Sequence, residues 1–144
     1  MYSPATQPTL YFMGVTTAQS SIMKVFPAWE RHLDLDDAVI RGMDFALHDS
    51  PEKYRKAVAF IRDDPMSKGA LVTTHKLDLF EACRDMFDEI DPHAALMSEV
   101  SCISTRNGKL IAHAKDPISS GLAMDGFIPP DHFATTGGQL FSMG

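Results

Sequence analysis

Apolar and polar positions follow two periods in turn along the chain. Leu10-Tyr11-Phe12-Met13-Gly14-Val15 is a short apolar run closed by a polar stretch, the pattern of a buried strand. A helix is expected from Ser20 or Ser21, either of which can cap it. Ile22, Val25, Phe26, Trp29 and Leu33 then fall at i, i+3, i+4, i+7 and i+11, so one face is apolar, and Pro27 comes early enough to be tolerated. Ala38 to Leu47 reads as an interrupted strand. Ser50-Pro51-Glu52 opens a helix that keeps Tyr54, Ala57, Val58 and Ile61 in register until Asp64-Pro65 stops it. Gly69 to Thr73 is a short buried strand, and the helix after it gathers Leu79, Phe80, Cys83, Met86 and Phe87 on one side. Asp91-Pro92 opens a further short helix. Two apolar runs, Val100 to Ser104 and Lys109 to Ala114, flank Asn107-Gly108, the strongest short hairpin signal. Ile118 to Met124 reads as a short helix, Pro129-Pro130-Asp131-His132 as an exposed linker, and Gly137 to Gly144 as the start of a strand.

Strand and helix alternation predicts an α/β fold. The expected form is a three-layer αβα domain around a mixed, mostly parallel sheet, with one antiparallel strand contributed by the hairpin. The domain is expected to span 1–128, with 129–144 forming a linker and the first strand of a second domain. On that reading the chain is a fragment of a longer protein; a frayed natural C-terminus is the alternative.

Composition narrows the partners. Thirteen Lys and Arg against nineteen Asp and Glu give a net charge of −6 over 144 residues, which disfavours nucleic acid, since phosphate binding needs a cationic footprint. No apolar run approaches the roughly 20 residues that span a bilayer, and the N-terminus lacks the basic and apolar regions of a signal peptide. Cys83 and Cys102 are too few for a disulfide scaffold or zinc site and suggest a reducing, cytoplasmic setting. The six histidines show no metal-binding spacing, so no metal is expected.

The chemistry-bearing positions fall where strands hand over to helices. Val72-Thr73-Thr74-His75-Lys76 places a hydroxyl, an imidazole and an ammonium at a strand's carboxyl end, where open α/β sheets bind ligands. The same residues also read as a helix cap and a solvated lysine. Asp116, between the hairpin and a helix, is either a cap or a partner for Lys76. Ser20 and Ser21 are either caps or hydroxyl contacts to a ligand. His75 is a third candidate for carrying a proton, because imidazole titrates in the neutral range. No P-loop, G-x-S-x-G or complete G-x-G-x-x-G is present.

Taken in order, these pieces resemble the N-terminal substrate-binding domain of the shikimate/quinate dehydrogenase family over about residues 10–126. The family's Ser-x-Ser-Pro stretch corresponds to Ser20-Ser21-Ile22-Met23, with Ser20 at the first serine and Ile22 at the second unless Ser21 takes its place. Its Asn-Val-Thr-x-Pro-x-Lys motif corresponds to Leu71-Val72-Thr73-Thr74-His75-Lys76, which keeps Thr73 and Lys76, lacks the Asn and Pro and is one residue shorter. Its Ala-Val-Asn-Thr motif corresponds to Glu99-Val100-Ser101-Cys102, and its Asn-Thr-Asp-Gly motif to Ala114-Lys115-Asp116-Pro117. Gly138 to Gly144 resembles the first strand of a dinucleotide domain, with Gly144 as the first glycine of its loop.

The resemblance implies an NAD(P)-dependent oxidoreductase acting on a cyclic hydroxy acid: shikimate, quinate or a relative. Lys76 and Asp116 would be its catalytic pair, and Ser20, Ser21, Thr73 and Ser101 its substrate contacts. The cofactor, NADP or NAD with NADP as the family's preference, would be bound by a second domain, so this chain alone would be inactive. A homodimer is a further partner to test. The rival reading is a non-catalytic ligand-binding or regulatory module of the same fold.

Overall fold

The computed structural model describes residues 2–141. They divide into two compact units, 1–114 and 115–144, each taken by itself below. The helix Asp116–Asp125, expected within the first domain, therefore groups with the later unit.

The first unit is built on six strands: β1 (Thr9–Gly14), β2 (Val39–Asp44), β3 (Ser67–Val72), β4 (Glu89–Ile90), β5 (Cys102–Arg106) and β6 (Lys109–His113). Their order across the sheet is β2-β1-β3-β5-β6-β4. β1 runs parallel to β2 and β3, and β4 parallel to β6, while β5 is antiparallel to both its neighbours. This is the mixed, mostly parallel sheet expected, with its single reversed strand in the hairpin. Asn107 (φ 52°) and Gly108 (φ 76°) both take the positive φ that a tight primed turn requires.

Strand alternation sorts the two faces. Tyr11, Met13, Ala70, Val72, Ile103, Leu110 and Ala112 point to one side and are buried. Helices α2 (Pro51–Asp63) and α3 (Lys76–Cys83) cover them, with Tyr54, Ala57, Val58, Ile61, Leu79, Phe80 and Cys83 completing the core. These are the helical positions the 3.6-residue period selects. α1 (Ile22–Leu33) lies on the other side, where Phe26 shares a groove with Leu10 and Ala38. Among the apolar residues of α1 only Phe26 is buried; Trp29 and Leu33 are 53% and 59% exposed. The helix meets the sheet along one margin of its apolar stripe, so that face is not the core face its spacing suggests. A short helix, α4 (Pro92–Met97), is capped by Asp91, which accepts the Ala94 N–H at 2.8 Å.

The later unit holds α5 (Asp116–Asp125) and α6 (His132–Thr136), the latter lying where the linker was expected to continue. Residues 137–141 form no strand, and no other strand occurs among the described residues of that unit to offer them a ladder; the rest of the expected strand, including Gly144, lies outside the described residues.

Candidate active site

Parallel β1 and β3 end side by side. The chain then turns away from each with hydroxyl-bearing residues, and a cleft of about 250 Å³ opens between the turns. Phe12, Gly14, Val15, Thr16, Thr17, Gln19, Ser20, Thr73 and Thr74 line it. Five of these nine residues carry hydroxyls, and none carries a charge.

The first wall is held in place by Asp44 at the end of β2. Its carboxylate accepts both the Thr17 hydroxyl (2.6 Å) and the Thr17 backbone N–H (2.9 Å). These two bonds, the hydroxyl first, hold the Asp44 carboxyl below the ordinary carboxylate range. Thr17–Gln19 forms a 3-10 turn, and Ser20 leads directly into α1.

The second wall is strained. Thr74 has φ +66°, a conformation that costs a β-branched residue energy. The His75 N–H donates to Thr73 O at 2.7 Å, closing a γ-turn centred on Thr74. The Thr73 N–H is fixed to Met13 O at 3.0 Å, so this turn is tied to β1 as well. α3 starts at once with Lys76, which is partly buried and whose carbonyl accepts the Val100 N–H at 3.2 Å.

Of the residues expected from sequence, Ser20 and Thr73 line the cleft, while Lys76, three residues after Thr73, is not among its lining residues. Ser21 occupies the cap position of α1, is exposed, and makes no side-chain capping bond. Ser101 is 2% exposed; its carbonyl accepts the Val72 N–H, and its own N–H donates to His113 O. It therefore joins the ends of β3 and β6 close behind the Thr73 turn. Asp116 begins α5 in the later unit.

His75 requires a correction. It is 1% exposed, with Nδ1 3.0 Å from the Tyr54 hydroxyl and its ring edge-on to Phe45. The γ-turn directs this ring into the core beside α2, so it lines no part of the cleft. Thr16, Thr17, Gln19 and Thr74, not expected as ligand contacts, also line the cleft, and Asp44 supports the first wall. The signal for the first three was their place immediately beyond a parallel strand's carboxyl end. No group of three or more His, Cys, Asp or Glu that could hold a metal occurs among the described residues. No helix among them is long and apolar enough to cross a membrane.

No family model matches the chain, and no curated protein matches it by sequence. Solved structures do match its fold. A shikimate dehydrogenase from Aquifex aeolicus superposes with a TM-score of 0.70 at 21% identity, covering 89% of this chain and 45% of that one. A shikimate 5-dehydrogenase from Listeria monocytogenes, solved with shikimate and NAD, gives 0.67 at 16% identity, covering 88% and 41%. The 5-ketofructose reductase of a Gluconobacter strain gives 0.64 at 22%, covering 86% and 42%. The chain thus spans about two-fifths of the length of these proteins and shares the fold of that portion.

Proposed function

We propose that this chain is the acid-binding domain of an oxidoreductase of the shikimate dehydrogenase type, taking a small polyhydroxylated carboxylic acid into the cleft between Ser20 and Thr73. The observation that carries this reading is the hydroxyl-lined cleft at the carboxyl ends of β1 and β3, with Lys76 opening the helix that follows the Thr73 turn. Its volume suits a six-carbon ring acid, and its threonines and serine suit the hydroxyls and carboxylate of such a ligand. A site that pairs substrate hydroxyls discriminates strongly against analogues lacking them. Leu71 and Ser101, where the family carries asparagines, favour a relative of shikimate with fewer or differently placed hydroxyls.

The described residues do not fit a dinucleotide. The cleft is small, and no glycine-rich strand-to-helix turn occurs among them. A nicotinamide cofactor, NADP by family preference, belongs to a separate domain, and the described residues bind acid without turning it over. Their own tasks are to orient the ring through Ser20 and Thr73 and to receive the proton of the reacting hydroxyl at Lys76 Nζ. The cytoplasm is the compartment this chemistry implies.

Calorimetric titration of the chain with shikimate and quinate tests the proposal. Binding that Ser20→Ala and Lys76→Ala each weaken about tenfold or more supports it. Binding untouched by either substitution refutes it, and binding with no turnover in any longer form of the protein selects the regulatory module instead.

A further inference from the structure

Away from the cleft, three residues of different elements form a hydrogen-bonded series. Asp91 Oδ2 lies 3.1 Å from His113 Nδ1, and His113 Nε2 lies 2.8 Å from Ser104 Oγ. The carboxylate can only accept, so Nδ1 carries the proton and Nε2 offers its lone pair to the Ser104 hydroxyl. Each member is held. The other oxygen of Asp91 accepts the Ala94 N–H as the cap of α4, and the Asp91 N–H donates to Ala112 O on the strand that carries His113. His113 and Ser104 stand on paired strands, on the face opposite Ile103 and Ala112. The three residues are within reach of solvent: Ser104 and His113 are each partly exposed, and the His113 and Asp91 side chains keep 19% and 15% of their surface.

We infer that Ser104 is a nucleophile activated by His113 and Asp91, a covalent modification site for activated acyl esters that is independent of the acid cleft. In the reaction the Ser104 Oγ bonds to the ester carbonyl carbon. The hydroxyl proton passes to His113 Nε2 and from there to the departing alcohol as the ester C–O bond breaks, leaving O-acyl-Ser104 and free alcohol. Asp91 holds the ring in the tautomer this requires and stabilises the imidazolium that forms.

The sheet also sets the limit of this chemistry. Backbone N–H groups of β5 and β6 lie in the sheet plane and serve its ladders, so none converges above Ser104 to bind an oxyanion. Acylation is therefore confined to activated esters, whose alcohol leaves readily, and the ordinary alkyl ester formed on Ser104 is retained rather than turned over.

The test is p-nitrophenyl acetate labelling of the chain, followed by intact mass and peptide mapping. The expected result is one dominant acetyl group on Ser104, absent in Ser104→Ala and slowed about tenfold or more in Asp91→Asn. Asp91→Asn keeps a good helix cap, and a melt unchanged from wild type confirms that the slower rate is chemical rather than structural. His113→Gln is expected to slow labelling at least as much. Acetyl groups confined to lysines, or to Cys102 opposite His113, would overturn the assignment. So would Ser104 labelling at the same rate in wild type and Asp91→Asn.

Discussion

A Cβ on Gly42 would stand 2.0 Å from Thr17 Oγ1 and 2.7 Å from Thr17 Cβ. β2 therefore needs glycine at this position for Thr17 to cross above it and reach Asp44. Gly42→Ala is expected to cost about 1–3 kcal/mol, the range for forcing atoms into filled space. Because the displaced turn carries Ser20, acid binding should fall as well. Urea unfolding and calorimetry read the two effects, and wild-type values in both would contradict this account of the turn.

Much of this architecture was legible from the chain. The apolar run Leu10–Val15, the Ser50-Pro51 start and the Asn107-Gly108 turn are local signals, and each element formed within a few residues of its expected place. The α1 face was not legible, because periodicity shows that a stripe is apolar but not what covers it: Phe26 found the sheet and Trp29 did not. The Thr73–Lys76 segment was placed correctly at a strand end. The direction of His75 depends on the sign of φ at Thr74, which residue type alone would not suggest. Gly42, Thr17 and Asp44 come together only through the β1–β2 pairing, so nothing in their spacing announced them.

Asp64 should govern acid stability. It is 6% exposed and accepts the Tyr11 hydroxyl and the N–H groups of Ala5 and Met66. Burial would raise its pKa, but these donors, Tyr11 first, together outweigh it and hold the carboxyl below its ordinary value. A group with a lowered folded pKa contributes stability above the unfolded value near ~3.9, and that contribution is lost as pH falls through the folded value. Asp64→Ala should cost about 2–3 kcal/mol near neutral pH, partly by stranding the buried Tyr11 hydroxyl. The gap from wild type should narrow on acidification below the ordinary carboxylate range. A gap that stays constant with pH in urea titrations would contradict this.

Cys83 is fully buried on α3, and burial pushes its thiol up to about 12. The thiolate is the reactive form, so maleimide at mildly alkaline pH should leave Cys83 unmodified in the folded chain and label it once urea unfolds the domain. Mass mapping before and after unfolding checks this, and labelling of Cys83 under native conditions would show that α3 does not stay docked.

Thr74→Gly should relieve the left-handed strain and stabilise the domain by up to ~1 kcal/mol, the gain being reduced by the freer unfolded chain. The same change removes a cleft hydroxyl, so acid affinity should drop while the melting temperature rises. Thermal melts with and without acid separate the two, and a large loss of stability would contradict the strained turn.

The central claim is that the acid occupies the cleft between β1 and β3, and amide-resolved NMR titration of the isotope-labelled chain tests it most directly. With shikimate or quinate added, the account predicts saturable shifts concentrated at Thr16, Thr17, Ser20, Thr73, Thr74 and Lys76, with Ser104 and His113 unmoved. Saturable shifts centred elsewhere, or none at millimolar acid, would contradict it.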